Sequence, residues 1–164
     1  MKKALVIGLT LLVCACTYSV YMTRYPHLKT IRVSTFENRS TQYAVQEEIL
    51  DALAGDFQKD GQLKVVELAP DCVLEGVVLD YQNDIYDYNA QDVVTQYRVK
   101  MLFSITLTDL VKNEEIWKND ALLLEQTWSE QSTSVDIPNT EEKAREEIYG
   151  DLYDKIKEST FESW

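Results

Sequence analysis

The fold is decided by residues 93–110, which read V-V-T-Q-Y-R-V-K-M-L-F-S-I-T-L-T-D-L. Apolar and polar side chains alternate here more regularly than anywhere else in the chain. Because successive side chains of a strand point to opposite faces of a sheet, this pattern predicts a long strand with one buried face and one solvated face. The expected inward side chains are Tyr97, Val99, Met101, Phe103, Ile105 and Leu107, and the outward ones are mostly Gln96, Arg98, Lys100, Ser104, Thr106 and Thr108.

Further strand signals lie on both sides of this stretch. Residues 72–88 are extended and at first apolar on both faces, which is typical of a central strand. A polar link at 113–114 leads to another strand at 116–128. Shorter alternating runs indicate strands at 30–36 and 63–68, and the polar residues at 37–41 indicate a turn.

Two helices complete the pattern. Residues 42–59 and 141–160 carry apolar side chains at helical spacing, and the polar residues at 40–41 and 139–140 are the expected caps. The order predicts an α+β domain, with two helices packed on one face of a mostly antiparallel, four- to five-stranded sheet. We expect the first strand to run parallel to a neighbour, because a helix follows it.

The charge of the chain limits its partners. The 164 residues include 16 Lys and Arg against 28 Asp and Glu, which gives a formal charge of −12. Removal of a signal segment that contains Lys2 and Lys3 would take this charge from −12 to −14. A domain this acidic repels phosphate backbones, so we expect no nucleic-acid partner.

The N-terminus has the pattern of a secretory signal. Lys2 and Lys3 precede an apolar run at 4–15. A run of 12 residues is too short for a bilayer core, which needs about 20. We therefore expect this segment to direct secretion and to be removed.

The end of the apolar run resembles the bacterial lipobox. It reads Val13-Cys14-Ala15-Cys16, with a small residue before the last cysteine and an aliphatic residue three before it. The resemblance implies a diacylglycerol and an N-acyl chain on Cys16, and the Thr17 that follows favours sorting to the outer membrane. We expect a lipoprotein signal peptide at 1–15, a lipidated cysteine and tether at 16–29, and a single domain at 30–164. An ordinary signal peptide with chance cysteines is the alternative.

No catalytic motif is found in the sequence. Glycine-rich phosphate loops, G-x-S-x-G, H-E-x-x-H and C-x-x-C are missing, and the single histidine, His27, falls in the expected tether. Cys72 is better explained as a small core side chain than as a nucleophile. We expect no catalytic residues, no enzyme activity and no cofactor beyond the acyl chains on Cys16.

Residues 80–92, between two long strands, combine carboxylates with three tyrosines. Calcium would bind such oxygens, but no glycine falls at the turn position of an EF-hand loop, so we expect a solvated hairpin tip and no metal. Tyr81, Tyr86 and Tyr88 are candidate partner contacts, because tyrosine buries area and keeps a hydroxyl for hydrogen bonding. Packing across the hairpin is the alternative for these phenols.

A small basic patch is expected on the outward face of the long strand. Arg98 and Lys100 lie on that face, and Lys118 on the next strand could approach them. Such a patch could hold a phosphate or a lipid headgroup. A sheet face with ordinary surface charges is the alternative.

Besides the lipobox, a series of motifs runs along nearly the whole mature chain: Ile31-Arg32-Val33, F-E-N-R-S-T at 36–41, Glu47-Glu48, Leu63-Lys64-Val65-Val66, Asp71-x-x-Leu74-Glu75-Gly76, the Tyr97 strand and Ile116-Trp117. Together these motifs resemble the LPS-assembly lipoprotein LptE family. The phrase F-E-N-R-S also occurs in lipoproteins of the CsgG and LpoB types, so the first third of the chain does not discriminate. The rest of the chain favours LptE, because it has one long alternating strand pair, few glycines and a single closing helix.

The resemblance implies a function. LptE-like proteins lie inside the LptD β-barrel of the outer membrane, plug it, help it to assemble and assist delivery of lipopolysaccharide to the outer leaflet. A domain at −14, reached from −12 by loss of two lysines, repels polyanionic lipopolysaccharide at long range, so direct binding needs a local patch such as Arg98, Lys100 and Lys118. We therefore expect an LptD-like barrel as partner and lipopolysaccharide as a further candidate ligand. The alternative is a regulatory lipoprotein of CsgG or LpoB type that docks on a secretion channel or a cell-wall synthase.

Overall fold

The computed structural model describes residues 24–161, so the expected signal peptide at 1–15 and the lipid attachment at Cys16 lie outside the described residues. The described range forms six strands and two helices. Neither of these helices is long and apolar enough to cross a membrane. In order, the elements are β1 (Thr30–Val33), β2 (Glu37–Asn38), α1 (Val45–Asp60), β3 (Lys64–Val65), β4 (Cys72–Tyr88), β5 (Val94–Asp109), β6 (Glu114–Trp128) and α2 (Glu141–Thr160).

The strands form one mixed sheet in the order β3-β1-β4-β5-β6, with β2 also paired to β4. The expected parallel pairing of β1 is confirmed, since β1 runs parallel to β3 and to β4, and β2 is likewise parallel to β4. The long strands β4, β5 and β6 are antiparallel. The predicted α+β class with two helices is therefore correct, but the sheet is mixed and has six strands rather than four or five.

The sixth strand arises where the sequence indicates only a turn. Glu37 and Asn38 pair with Val77 and Val78 of β4. These two polar residues carry no alternating pattern of their own, and a long-range partner makes them a strand. Local polarity therefore predicted the wrong state for β2.

The face assignment of β5 is confirmed. Its inward side chains Val99, Met101, Phe103, Ile105 and Leu107 are at most 1% exposed, and the side chains between them are partly exposed. Both helices contribute side chains to the same buried cluster, so they cover one face of the sheet. The opposite face carries the outward side chains of β5.

The two helices begin differently. Thr140 caps α2 as expected, because its side-chain oxygen accepts a hydrogen bond from the Lys143 amide at 3.2 Å. Helix α1 begins only at Val45, after Ala44 in a left-handed conformation and without a side-chain cap. Ser40 is engaged in an earlier turn, where its amide and hydroxyl both donate to Asn38 Oδ1. The predicted cap at 40–41 is therefore wrong.

Two of the sequence motifs meet in the core. Phe36, from F-E-N-R-S-T, is 2% exposed, and a Cβ added at Gly76 would lie only 2.3 Å from its ring. Only glycine at position 76 leaves room for this ring. Asp71, from the second motif, accepts hydrogen bonds from the Lys29 and Thr30 amides at 2.8 and 2.9 Å, and the bond from Lys29 is the main cause of its lowered pKa. These motifs thus hold the short strands against β4.

Candidate interaction surface

The β4–β5 hairpin extends beyond the rest of the sheet. Strand β6 ends at Trp128, opposite Tyr97, and β2 pairs with β4 only as far as Val78. Residues 85–96 therefore form a two-stranded projection, which we call the arm, with no third strand from the described part of the chain beside it. The unequal lengths of the strands create this projection.

A compact turn closes the tip of the arm. Asn89 Oδ1 accepts hydrogen bonds from the amides of Gln91 and Val93 at 2.9 and 3.0 Å, and Asp92 adopts a left-handed conformation with φ of 58°. Residues 24–161 contain no group of three or more His, Cys, Asp or Glu side chains placed to hold a metal. The carboxylates of Asp84, Asp87 and Asp92 are exposed to solvent.

The base of the arm is fixed to β6 and to α2. The Tyr97 ring stacks on Trp128, with centroids 4.6 Å apart. The indole of Trp128 donates a hydrogen bond to Asn83 Oδ1 at 3.1 Å, and the Asn83 amide donates to Glu141 Oε2 at 2.8 Å, at the start of α2. These contacts give the arm a defined direction relative to the domain.

Tyr81 is placed differently from the expectation. It is 8% exposed and lies opposite Met101, beyond a bulge at Val78 to Asp80 that changes which side chains of β4 face inward. Its hydroxyl donates a hydrogen bond to Glu141, and burial followed by this bond raises its pKa. The expected exposed position is thus wrong, and Tyr81 packs inside the domain.

Tyr86 and Tyr88 do lie on the arm. They are 50% and 53% exposed, and the neighbouring Ile85 and Val93 are 49% and 51% exposed. Exposed apolar side chains that gather on one projection are typical of a protein interface, and tyrosine is enriched at such surfaces. The arm is therefore the candidate interaction surface.

Arg98 supports the arm from the outer face of the sheet. Its guanidinium carbon lies 3.7 Å from the centroid of the Tyr86 ring, and Nη1 lies 3.4 Å from Glu125 Oε1. The Nε atom is buried and has no hydrogen-bond partner among the described residues. A cation over an aromatic ring is attracted by the negative face of that ring, so Arg98 helps to orient Tyr86.

The expected basic patch does not assemble. In the β5–β6 register Lys118 lies opposite Thr106, six residues along β5 from Lys100, which is about 20 Å at 3.3 Å per residue. Its ammonium lies 3.0 Å from Asp120 Oδ1, and this hydrogen bond raises the pKa of Lys118. Lys100 lies opposite Glu125. The expectation that Lys118 approaches the other two cations is wrong, and each cation lies beside an acid.

Cys72 has a packing role. Its side chain is fully buried, and burial, followed by the charges of Asp71 and Asp109, raises the pKa of its thiol to about 12. A thiol with this pKa stays protonated at neutral pH and is a poor nucleophile. This agrees with the core role that the sequence favours.

His27 is held against the sheet, although the sequence places it in a tether. Its Nε2 donates a hydrogen bond of 2.5 Å to Oδ2 of Asp109, which is fully buried at the end of β5. Burial alone would raise the pKa of Asp109, but the bonds from His27 and from the Lys112 and Val111 amides outweigh it and lower the pKa. The His27–Asp109 pair therefore joins the chain before β1 to the folded domain.

The sequence indicates that Asp109 is buried, although the alternation of β5 does not identify the partner of its carboxylate. Asp109 occupies the next inward position after Leu107 in the β5 alternation. A carboxylate buried at such a position needs hydrogen-bonding partners. Leu28, next to His27, is 3% exposed and belongs to the core, so a second residue of the expected tether also packs against the domain.

The fold and the arm define a class of protein: an α+β module with a projecting hairpin that exposes aromatic side chains. A family model described as "LptE: Lipopolysaccharide-assembly" matches residues 28–159. The chain therefore belongs to the LptE family, a non-enzymatic family of bacterial envelope lipoproteins that serve lipopolysaccharide assembly. No curated protein matches the chain.

Solved structures share the fold at low identity. A hypothetical protein from Chlamydia trachomatis is 10% identical, with a TM-score of 0.57, over 80% of this chain and 97% of its own. A lipoprotein B from Nitrosomonas europaea is 13% identical, with a TM-score of 0.51, over 79% of both chains. A protein from Xanthomonas campestris is 9% identical, with a TM-score of 0.51, over 80% of this chain and 84% of its own. These likenesses concern the fold alone.

Proposed function

We propose that this protein is an outer-membrane lipoprotein, anchored through Cys16, that plugs and helps to assemble an LptD-type β-barrel and assists lipopolysaccharide insertion into the outer leaflet. The observation that carries the proposal is the LptE family match over residues 28–159. A covalent anchor is needed because neither helix within residues 24–161 is long and apolar enough to cross a membrane, and acyl chains contribute about 0.8 kcal/mol per buried CH₂.

The arm is the part of the domain best suited to contact such a barrel. The lumen of an outer-membrane barrel is polar, so a companion needs hydroxyl and amide groups as well as contact area. Tyr86 and Tyr88 present both, and they stand beside exposed polar residues such as Asp87 and Asn89. The fixed base of the arm lowers the entropy that would be lost on binding.

The positions of the cations favour the assembly role over direct binding of lipopolysaccharide. Arg98 and Lys118 each contact a carboxylate, and Lys118 stands apart from Lys100 along the sheet. Paired and separated cations attract a polyanion weakly, and the acidic domain repels it at long range. We therefore place the steric and assembly role first.

Co-purification from detergent-solubilised membranes tests this proposal. The full chain should recover a large outer-membrane barrel, and the variant with Tyr86→Ser and Tyr88→Ser should recover it about tenfold less, as expected for loss of buried tyrosine anchors. The control is Tyr43→Ser, since Tyr43 is 88% exposed outside the arm. Recovery of a secretion channel or a cell-wall synthase in place of the barrel would support the CsgG or LpoB alternative.

A further inference from the structure

The β5–β6 turn exposes apolar side chains where polar ones are usual. Leu110 is 44% exposed and Val111 is 60% exposed, whereas turns favour Gly, Pro, Asn, Asp and Ser. Asp109 Oδ1 accepts hydrogen bonds from the Val111 and Lys112 amides at 2.8 and 2.9 Å, and the Leu110 amide donates to the Asp71 carbonyl at 2.8 Å. The turn is therefore held in place while two apolar side chains face outward.

The chain that leads from the N-terminus joins the domain beside this turn. His27 contacts Asp109, which directly precedes the turn. The rings of His27 and Tyr25 lie 6.2 Å apart, and the guanidinium carbon of Arg24 lies 5.8 Å from the Tyr25 ring. The first described residues thus lie at the same end of the sheet as the turn. The arm lies at the other end of β5, a strand of 16 residues that spans about 50 Å.

The proposed anchor is close to this end in sequence. Arg24 follows Cys16 by eight residues. An extended chain advances at most about 3.6 Å per residue, so the lipidated cysteine would lie no more than about 29 Å from Arg24. The end of the domain that carries Leu110 and Val111 is therefore the end held near the lipid.

We infer that the β5–β6 turn is a membrane-contacting tip, which inserts Leu110 and Val111 at the boundary between headgroups and acyl chains of a phospholipid bilayer before a partner binds. This inference rests on the proposed lipid attachment at Cys16. Two partly exposed side chains bind a bilayer weakly by themselves, but the short anchor keeps them at a high local concentration beside it. Lys112 is the cation of this turn, and its ammonium lies 3.7 Å from Glu114 Oε1, so the contact with the bilayer rests on the two apolar side chains. In this orientation the arm points away from the lipid surface and is free to meet a partner.

Site-specific fluorescence tests the tip. The full lipidated chain carries Val111→Cys, labelled with the polarity-sensitive dye NBD, in phosphatidylcholine vesicles that contain doxyl-labelled lipids as quenchers. Cys72 is buried and Cys16 would be acylated, so the introduced thiol is the one that reacts. The matched control is Val135→Cys, because Val135 is 96% exposed in the loop that follows β6 at the arm end of the sheet.

We expect doxyl quenching at position 111 to be at least about threefold stronger than at position 135, since only the first probe would reach the acyl boundary. Adding Leu110→Ser should reduce that difference. Equal quenching at the two positions, in protein shown to carry the acyl chains, refutes membrane contact by the turn and leaves the anchor intact. The same result is expected if a protein partner, rather than the bilayer, covers the turn. Absence of the acyl label overturns both the anchor and the tip.

Discussion

The contact between Phe36 and Gly76 allows a quantitative test of how the short strands are held. In Gly76→Ala the new methyl would lie 2.3, 2.5 and 2.6 Å from three atoms of the Phe36 ring, where ordinary contact begins at 3.4 Å. The ring must therefore retreat by about 1 Å into a core that leaves it 2% exposed. Overpacking of this kind costs about 2–3 kcal/mol.

Thermal unfolding of the domain without residues 1–16, followed by circular dichroism, measures this cost. For a domain of this size each kcal/mol lowers Tm by about 3–4 °C, so we expect a decrease of about 6–12 °C. The matched control is Gly55→Ala in α1, where an added Cβ meets nothing within 4 Å. That change should stabilise the helix by about 0.5–1 kcal/mol.

A double-mutant cycle assigns the effect to the ring. Phe36→Ala alone should cost about 3–5 kcal/mol through lost burial and a cavity. Once the ring is absent, the methyl at position 76 has space, so the double variant should cost at least about 1 kcal/mol less than the sum of the two single variants. Additive costs, or a Gly76→Ala variant as stable as the Gly55→Ala control, would refute this account of the packing.

The remaining predictions concern the core, the anchor and the cations. Phe103→Ala should cost about 3–5 kcal/mol in the same unfolding experiment, because Phe103 is fully buried, and a shift as small as that of a surface substitution would contradict its inward position. Cys16→Ser should abolish acyl-chain labelling, and persistent labelling would disprove the lipobox interpretation. Lys100→Ser combined with Lys118→Ser should leave barrel recovery unchanged and weaken any lipopolysaccharide contact in a salt-dependent way. Arg98→Ser should lower barrel recovery about two- to fivefold through loss of the cation beneath the arm's tyrosine, and unchanged recovery would argue against that support.

The long elements were predictable because each is specified by its own periodicity. The bounds predicted at 72–88 and 141–160 coincide with β4 and α2, and the inward residues of β5 are those indicated by alternation. In a long amphipathic segment, each apolar residue of the repeat indicates the same buried face. A single polar residue at one of those positions therefore does not change the prediction. Asp109 is such an exception, and its partner His27 lies 82 residues away.

The short elements and the cation positions depend on partners far away in the sequence. Strand β2 has two residues and exists because it pairs with β4, which local polarity does not reveal. The place of Lys118 could have been counted from the strands predicted at 93–110 and 116–128, since pairing their adjacent ends puts residue 118 opposite residue 108, close to the observed Thr106 and far from Lys100. The predicted patch failed because the two strands were compared without their register.

The arm illustrates how the position of a candidate interaction surface can follow from strand lengths while the contacts that support it do not. The predicted ends of the three long strands already imply that residues 85–96 extend beyond β6. The support of the arm joins Asn83 to Trp128 and Glu141, which are 45 and 58 residues away, through side-chain geometry that no local pattern specifies. Because this network supports the base of the arm, Asn83→Ala should lower recovery of the barrel in the co-purification experiment, and unchanged recovery would argue against a role for the network. Affinity for the barrel would then be lost because an unsupported arm has to be ordered on binding. In the unchanged protein, the domain itself holds the arm in place before the partner binds.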